Sequence, residues 1–329
     1  MKFLVVGLGN IGRRHLANLR GLFQDAQLAV LRREPATSSL TDELNARVFS
    51  QIEEAIAFKP DAALICGPSA SHIEVAMILA TNDIHLFVEK PISTMTQGVP
   101  ELLSLCEEKN LRLMVGYNFR FYEPFVEMKR LLDLGELGRV VSFQAEVGQY
   151  LPDWRPMQDY REGVTGNCEL GGGVLLELSH ELDYLRWFFG NIRGVYGRVR
   201  KLSDLEIDVE DHVDLSLEFE NGVVGTAHLD MIQRPLSRWC KIVGTQGTLS
   251  WNWDTHRVGL FRNSQSTWQE IVGPNSIERN DMYMAELKHF VHCIHTSLDP
   301  AVSGEDGLRA LEAVSAAQRS SDSGCEITL

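Results

Sequence analysis

The sequence predicts an α/β fold in two domains, with an N-terminal doubly wound parallel sheet and a C-terminal α+β domain that has a mostly antiparallel open sheet. The length of 329 residues suits two domains, at roughly 150 residues per domain. The first third of the chain alternates short apolar runs with helical patterns, which is typical of repeated βα units and hence of a parallel sheet. A segment of about a hundred residues after Phe189 carries the pattern of antiparallel strands instead.

Five apolar runs are candidates for the parallel strands. They lie at residues 3–6, 28–31, 62–66, 86–88 and 113–115. Intervening segments such as 73–80 have the spacing of helices. The pattern ends near Tyr117, so we predict a first domain at residues 1–118 and a second domain at residues 119–329.

The second domain mixes helices with strands. The candidates, in chain order, are a helix at 125–134, a strand at 140–147, a loop at 151–173, a helix at 174–189, and helices at 282–295 and about 305–321. The last helix is a candidate to pack back on the first domain. Apolar and polar residues alternate from Val213 to Glu220, and Asn221-Gly222 then suits a tight turn. This segment predicts a hairpin with one buried face.

Composition and charge exclude several classes of protein. Apolar residues make up 44% and charged residues 23% of the chain, as in ordinary globular proteins. The formal charge of −14 opposes binding to nucleic acids or to anionic membrane surfaces. No apolar run reaches the ~18 residues of a membrane span, and the first residues lack the layout of a signal peptide. We therefore expect a cytoplasmic protein that binds neither nucleic acid nor membrane.

The six cysteines lie far apart, without a C-x-x-C pair or a histidine at zinc-finger spacing. We expect reduced, mostly packed thiols and no metal site.

A glycine-rich segment directly follows the first predicted strand. It reads Gly7-Leu8-Gly9-Asn10-Ile11-Gly12 and leads into a helical pattern. In a Rossmann dinucleotide site, the first glycine permits the tight turn, the second admits the pyrophosphate and the third lets the helix pack on the strand. We predict that Gly7, Gly9, Asn10, Ile11 and Gly12 bind a dinucleotide. The alternative is an ordinary strand-to-helix turn.

About twenty residues later, an NAD site usually places an acidic residue on the ribose, whereas an NADP site tends to use arginine. This sequence has Arg32-Arg33. A guanidinium group can hold the 2′-phosphate, so the cofactor is expected to be NAD or NADP, with NADP slightly favoured. The alternative is that both arginines are solvated and that Glu34 takes the acidic role.

Later segments permit a comparison with a family. They read Cys66-Gly67-Pro68-Ser69-Ala70-Ser71-His72, Val88-Glu89-Lys90-Pro91, Gly116-Tyr117-Asn118-Phe119-Arg120-Phe121, Gly171-Gly172-Gly173 with His180 and Asp183, and Gly244-Thr245-Gln246-Gly247-Thr248-Leu249. Together they resemble the Gfo/Idh/MocA family of nicotinamide-dependent oxidoreductases over nearly the whole chain. The resemblance implies that Cys66, Pro68, His72, Glu89, Lys90 and Pro91 line the cofactor.

Lys90 is the first candidate catalytic residue. It follows a predicted central strand, and ligands of open α/β sheets bind outside the carboxyl ends of the strands. An ammonium group there can orient and polarise a substrate oxygen. The spacing alone also fits a surface lysine, and the resemblance favours the catalytic role.

His180 is the second candidate, because oxidation of an alcohol needs a base whose pKa lies near the working pH. Glu177, Asp183 and Tyr184 lie three or four residues away, which predicts that they are its neighbours on a helix. Many members of the family have an Asp four residues before this histidine. Here Leu176 occupies that position, and Glu177 is a candidate to replace the Asp or to form a salt bridge on the helix surface. A histidine on an apolar helix is otherwise often a structural core residue.

The loop before this helix combines aromatic, acidic and basic side chains, which suits a sugar or polyol. Its candidate substrate-binding residues are Trp154, Arg155, Tyr160 and Arg161, and the alternative is a loop at a subunit contact. Asn118 and Arg120, near the predicted domain boundary, are further candidates to contact nicotinamide or substrate.

These features predict an NAD(P)-dependent dehydrogenase or reductase that acts on CH–OH groups of a sugar, sugar derivative or cyclitol. One alternative is a regulator of the same fold that senses dinucleotide without catalysis. Another is a glycosidase or lyase that retains NAD. The resemblance also implies a homodimer or homotetramer.

Overall fold

A computed structural model of the chain describes residues 1–33, 39–272 and 278–329. The chain forms two compact units, each made of two segments. The first unit contains Met1–Asn118 and Arg279–Leu308, and the second contains Phe119–Glu278 and Arg309–Leu329.

The first unit is built on a six-stranded parallel sheet with strand order β3-β2-β1-β4-β5-β6. Its strands are β1 (Lys2–Val6), β2 (Gln27–Leu31), β3 (Ala46–Phe49), β4 (Ala62–Ile65), β5 (His85–Val88) and β6 (Leu113–Val115). Its helices are α1 (Asn10–Leu22), α2 (Ser39–Glu43), α3 (Ile52–Ala57), α4 (His72–Thr81), α5 (Val99–Glu108) and α10 (Arg279–Thr296). The strand order reverses beside β1, which is where such sheets bind ligands.

The central strands of this sheet are apolar throughout because both faces are covered. Leu86, Phe87 and Val88 of β5 are fully buried, as are Phe3, Leu4 and Val5 of β1. The sequence therefore predicted five of the six strands. It missed β3, a short strand at the edge of the sheet.

The second unit contains a nine-stranded sheet with strand order β14-β13-β12-β11-β7-β10-β9-β8-β15. Its strands are β7 (Val140–Gly148), β8 (Ile192–Arg200), β9 (His212–Phe219), β10 (Val224–Asp230), β11 (Ser237–Gly244), β12 (Gly247–Asn252), β13 (Val258–Arg262), β14 (Thr267–Val272) and β15 (Ile327–Thr328). Only the β7–β10 pair is parallel among the paired strands described in this sheet. The predicted fold class is confirmed.

The predicted hairpin is β9–β10. Gly222 has a φ of +83° in the turn, which explains the glycine after Asn221. The buried face of the sheet contacts the helices α6 (Glu123–Asp133), α8 (Val174–Glu177) and α9 (His180–Phe189). Helix α7 (Leu151–Trp154) is a single turn in the loop before α8. These helices and the sheet enclose a core of aromatic rings. The ring centroid of Phe125 in α6 lies 4.6 Å from that of Tyr184 and 4.5 Å from that of Trp251.

Two predictions need correction, one about a helix and one about the extent of the second domain. The apolar segment 174–189 is not one helix, because Leu178 and Ser179 form a turn between α8 and α9 in which the Ser179 hydroxyl donates to the Leu176 carbonyl at 2.9 Å. His180 therefore begins a new helix.

The second domain does not run continuously from residue 119 to the C-terminus, because α10 belongs to the first unit. Helix α11 (Gly304–Ser323) contributes its first residues to the first unit and the rest to the second. Among its early residues, Gly304 packs so closely on Leu103 and Leu113 that a Cβ there would lie 2.4–2.6 Å from their side chains. No helix in the described parts of the chain is both long and apolar enough to cross a bilayer.

Candidate functional site

The glycine loop between β1 and α1 has three different glycine environments. Gly7 has a φ of +90°, a conformation that other residues rarely adopt. A Cβ on Gly12 would lie 2.0 Å from the carbonyl oxygen of Gly7, so only glycine allows the helix to approach the loop. A Cβ on Gly9 would meet no atom within 4 Å. The fold itself therefore requires glycine at positions 7 and 12, whereas position 9 leaves open space beside the backbone.

The N-terminus of α1 suits an anion. Gly9 is the extended N-cap residue, no side chain caps the helix, and its first turn contains no acidic residue. The first N–H groups of a helix and its dipole attract phosphate groups. Asn10 is exposed and Ile11 is half-buried in this turn. The loop thus fits the pyrophosphate of a dinucleotide.

Arg32 lies at the expected place for a residue that selects the cofactor. It directly follows β2, whose Leu31 carbonyl accepts a hydrogen bond from the Gly7 amide at 2.9 Å. Arg32 is half-buried and Arg33 is exposed. Glu34, the alternative acidic residue, lies outside the described residues.

The segment after β4 supports the loops at this edge of the sheet. The His72 ring is 1% exposed and lies between two main-chain carbonyls, with Nδ1 2.9 Å from the oxygen of Pro91 and Nε2 2.9 Å from that of Gly67. Burial lowers the pKa of His72, an effect that the two carbonyls oppose. His72 therefore joins the loops after β4 and β5, which corrects the expectation that its side chain contacts the cofactor.

Cys66 is also buried, and its thiol pKa is raised by that burial and by nearby carboxylates. Its side chain packs near the position that a Cβ on Gly12 would take. Pro68 remains partly exposed in the same loop, and its carbonyl accepts from the Ser71 hydroxyl at 2.8 Å.

Glu89, Lys90 and Pro91 follow the central strand β5. Lys90 is half-buried, whereas Pro91, joined to it by a cis peptide bond, is buried. Glu89 Oε1 lies 2.6 Å from His15 Nε2 of α1, and Glu89 Oε2 accepts from the Lys90 amide at 3.2 Å. Because the Glu89 side chain is 10% exposed, its carboxylate supports the loop from within the unit. The sequence analysis did not select His15.

Asn118, at the end of the first unit, is 4% exposed, and its Oδ1 accepts no hydrogen bond from any described residue. Buried amide oxygens are normally paired, so this atom suits an N–H donor of a bound molecule. With the open space at Gly9 and the uncapped helix, it is the third feature of this unit that fits a nicotinamide dinucleotide.

His180 is the half-buried first residue of α9 in the second unit. Its ring lies 5.0 Å from that of Phe119 at an interplanar angle of 33°. The Arg238 guanidinium lies 4.2 Å from the centroid of the same Phe119 ring, and its Nε donates to Glu181 Oε1 at 2.7 Å. Phe119, Glu181 and Arg238 were not predicted, because Arg238 lies on a distant strand and no local spacing links it to His180.

Asp183 and Tyr184 were predicted to bind substrate, and the structure corrects both. Arg120 donates through Nε and Nη2 to the two oxygens of Asp183, at 3.0 and 2.6 Å, and both side chains are buried. This bidentate pair joins the start of the second unit to α9, so Arg120 is also a structural residue. Tyr184 is fully buried in the aromatic core, and burial raises its pKa well above the usual range.

Glu177 and the glycine run pack against their own unit. Thr165 donates its hydroxyl to Glu177 Oε1 at 3.2 Å, and Glu177 is half-buried. A Cβ on Gly172 would lie 2.4 Å from the Thr165 carbonyl oxygen, and one on Gly173 would lie 2.5 Å from Glu210 Oε1. The glycines thus permit close packing on Thr165 and Glu210. The sequence analysis identified neither of these two residues.

The loop with the remaining substrate candidates is internally bonded. Trp154 donates through Nε1 to the Gln149 carbonyl at 2.8 Å. Arg161 pairs with Asp159 and with Glu206, and its hydrogen bonds lower the pKa of Asp159 to about 2. Tyr160 is half-buried, and its hydroxyl accepts from the Glu206 amide at 3.4 Å. Arg155 is exposed.

Comparisons with known proteins agree with this architecture. Residues 1–117 match the family model for the oxidoreductase family with an NAD-binding Rossmann fold, and residues 125–250 match the GFO/IDH/MocA C-terminal domain. Among relatives, the myo-inositol 2-dehydrogenase of Thermotoga maritima is 26% identical over 97% of this chain and 96% of its own length. A D-xylose 1-dehydrogenase (NADP(+)) of Haloferax volcanii is 23% identical over the full length of both chains.

The fold also matches solved structures. The WlbA dehydrogenase of Bordetella pertussis, solved with NADH and UDP-GlcNAcA, superposes with a TM-score of 0.84 over 100% of this chain and 98% of its own, at 23% identity. At that identity the likeness shows the fold alone. The two domain matches, together with relatives aligned over the whole length, confirm the predicted resemblance. The chain belongs to the Gfo/Idh/MocA family of oxidoreductases.

Proposed function

We propose that the protein is an NAD(P)-dependent dehydrogenase or reductase that acts on a secondary hydroxyl of a cyclitol, sugar or sugar derivative. The observation that carries this proposal is the glycine loop, with its open space at Gly9 and the uncapped N-terminus of α1. The names of the relatives support the substrate class, because they include dehydrogenases of inositol and of xylose.

When bound, the nicotinamide ring would accept or supply the hydride. In the first unit, the loop from Gly7 to Gly12 would hold the pyrophosphate, and Asn118 Oδ1 would accept a hydrogen bond from a cofactor amide. Lys90 follows the central strand β5, where its ammonium group would orient the substrate oxygen and stabilise its developing negative charge.

His180 would exchange the hydroxyl proton with the substrate. Its position at the start of α9 is fixed by contact with Phe119, which Arg238 covers in turn. The buried Arg120–Asp183 pair holds the same helix. These contacts limit the rotation of the helix, which favours general acid–base catalysis because the reacting geometry is set in advance.

Two further parts of the proposal concern selectivity. Arg32 would hold the 2′-phosphate, which favours NADP over NAD. Trp154, Arg155, Tyr160, Arg161 and Glu177 remain candidates to bind substrate. Trp154 and Tyr160 offer ring faces, and Arg155 and Arg161 are both exposed arginines of the loop.

The protein is also proposed to form a homodimer or homotetramer through the outer face of the nine-stranded sheet. That face carries Trp239 and the exposed Trp268, although most of its residues are polar. Sedimentation of the purified chain tests this assembly, and a monomer at micromolar concentration would contradict it.

The experiment that tests the function is a panel of cyclitols, sugars and sugar nucleotides, incubated with NAD and with NADP while the absorbance of reduced nicotinamide is followed. We expect steady formation of reduced cofactor with at least one member. Lys90→Ala and His180→Ala should each lower kcat by about 10²- to 10⁴-fold. Cofactor affinity should stay nearly unchanged.

Lys288→Ala is the matched control for Lys90→Ala, because Lys288 is an exposed lysine of the same unit. Substrate breakdown without net change in cofactor absorbance would favour the NAD-retaining glycosidase or lyase. Tight dinucleotide binding without any turnover would favour the sensing regulator, and full activity of Lys90→Ala would refute the role of Lys90.

A further inference from the structure

Glu286 is a buried carboxyl group that the proposed reaction does not use. It lies on α10, its side chain is fully buried, and neither of its carboxyl oxygens accepts a hydrogen bond from a described residue. Leaving such a group unsatisfied is destabilising, so a buried acid needs a compensating partner.

The polar groups nearest to Glu286 include the side chain of Glu89, the residue that precedes Lys90. Ligand atoms of Glu286, Glu89 and His15 lie within 4.8 Å of one another. Glu89 connects this cluster to the site, because Oε1 contacts His15 Nε2 and Oε2 accepts from the Lys90 amide. Gly116 provides the room, since a Cβ there would lie 3.1 Å from Glu89 Oε2.

Burial beside a second carboxylate favours the neutral form of Glu286, which can donate a hydrogen bond. Burial, and then the Glu89 carboxylate, raise the pKa of Glu286 well above its usual range. The other titratable groups that face it are His15 from α1, Cys66 from the end of β4 and Tyr283 from its own helix. A neutral acid can donate its proton to the Glu89 carboxylate after a small rotation or through one water.

We propose that Glu286 and His15 are positioning residues that hold the Glu89 carboxylate, which in turn fixes the backbone from which the Lys90 ammonium group projects. This inference rests on the catalytic role proposed for Lys90. It assigns a function to a cluster formed by α1, the segment that follows β5, and α10, and it explains why the Glu286 carboxyl group is buried where these three parts of the chain meet.

The first test needs no substrate. Hydrogen exchange of the peptide that contains the Lys90 amide is compared in the full-length wild type, Glu286→Leu and Leu287→Ala. Leu287 is the control because it is fully buried beside Glu286 on the same helix. We expect exchange of that peptide to be about tenfold faster in Glu286→Leu only. Equal exchange in both variants would overturn the inference.

The second test measures kcat, KM and cofactor affinity with the substrate that the panel identifies. Glu286→Leu should lower kcat by about 10- to 100-fold and change KM and the cofactor Kd by less than about threefold, since a misplaced ammonium slows the reaction step. Glu286→Gln should restore most of the lost kcat because its amide still donates. Leu287→Ala should keep the wild-type kcat.

A double-mutant cycle separates the two proposals. If Glu286 acts through Lys90, Glu286→Leu lowers kcat little further in the Lys90→Ala background, whereas additive effects would overturn the inference and leave the role of Lys90 intact. Faster exchange with an unchanged kcat would refute the catalytic role of Lys90 instead. Loss of activity on removal of divalent cations with EDTA would overturn the inference, because it would indicate that the cluster binds a metal ion.

Discussion

Gly9 and Gly12 lie three residues apart, yet their surroundings predict opposite effects of the same substitution. Gly9→Ala places a methyl group in open space, so we expect a Tm within about 2 °C of the wild type. The methyl group would occupy the space assigned to the pyrophosphate, and cofactor affinity should fall about tenfold or more. Thermal unfolding and fluorescence titration with NADPH measure both effects.

Gly12→Ala is the matched comparison. Its methyl group would collide with the Gly7 carbonyl, and overpacking of this kind costs about 1–3 kcal/mol. We therefore expect Gly12→Ala to lower the Tm of the protein clearly, even in the absence of cofactor. Equal Tm values for the two variants, or wild-type affinity in Gly9→Ala, would contradict the assignment of the loop.

Arg32 supports a prediction about cofactor choice. Arg32→Asp should weaken NADP binding by about 10- to 100-fold, because a charged hydrogen bond is lost and a like charge is placed beside the phosphate. NAD binding should change less. Arg139→Asp, at an exposed arginine of the other unit, makes the same charge change elsewhere. An unchanged NADP/NAD ratio in Arg32→Asp would show that another residue selects the cofactor.

At the scale of residues, the sequence predicted where the candidate residues lie better than it predicted what they contact. The glycines, Arg32 and Lys90 follow strands, and strand ends can be predicted from apolar runs. The roles of Asp183 and His72 could not be predicted, because they depend on partners far away in the chain, such as Arg120 for Asp183. A carboxylate near a candidate base has the same sequence signature whether it contacts a substrate or an arginine.

Among the secondary-structure elements, α8 and α9 show what periodicity misses. The apolar run 174–189 has helical spacing throughout, but the Ser179 hydroxyl bonds to the Leu176 carbonyl where the first helix ends. As a result, Glu177 and His180 belong to different helices, and their three-residue spacing does not make them neighbours on one helix face. Glu177 contacts Thr165 instead.

The β9–β10 hairpin contains a charged group whose effect depends on pH. His228 lies between Asp230 and Asp214, with Nε2 2.9 Å from Asp230 Oδ2 and Nδ1 2.7 Å from Asp214 Oδ1. These contacts, led by the bond to Asp230, raise the pKa of His228 to about 9. In the unfolded chain a histidine has a pKa of about 6.5.

Because the folded pKa is the higher one, the stabilisation is complete below about pH 6.5 and is lost as the pH rises to about 9. We expect the Tm of the wild type to fall more steeply over this range than that of His228→Gln. His295→Gln, at an exposed histidine, should keep the wild-type slope. Parallel curves for the wild type and His228→Gln would refute the raised pKa.

In the whole molecule, the fold class was predictable, whereas the return of α10 to the first unit was not. Periods of 3.6 and 2 residues identify a parallel and an antiparallel sheet. These periods carry no information about which unit a helix near the C-terminal end of the sequence packs on. Helix α10 joins the first unit through contacts such as the paired amides of Asn18 and Asn280. The same return of the chain brings Glu286 to Glu89, which is why this cluster could not be found by spacing.

Transfer of hydride is the central claim for the whole protein, and an isotope follows it directly. A substrate from the panel is deuterated at the carbon that carries the reacting hydroxyl, and the reduced cofactor is isolated and analysed by mass spectrometry and NMR. The account predicts one deuterium per turnover at C4 of the nicotinamide ring. Reduced cofactor without deuterium would contradict the account. A product that still carries the deuterium, with no net reduction of the cofactor, would contradict it as well.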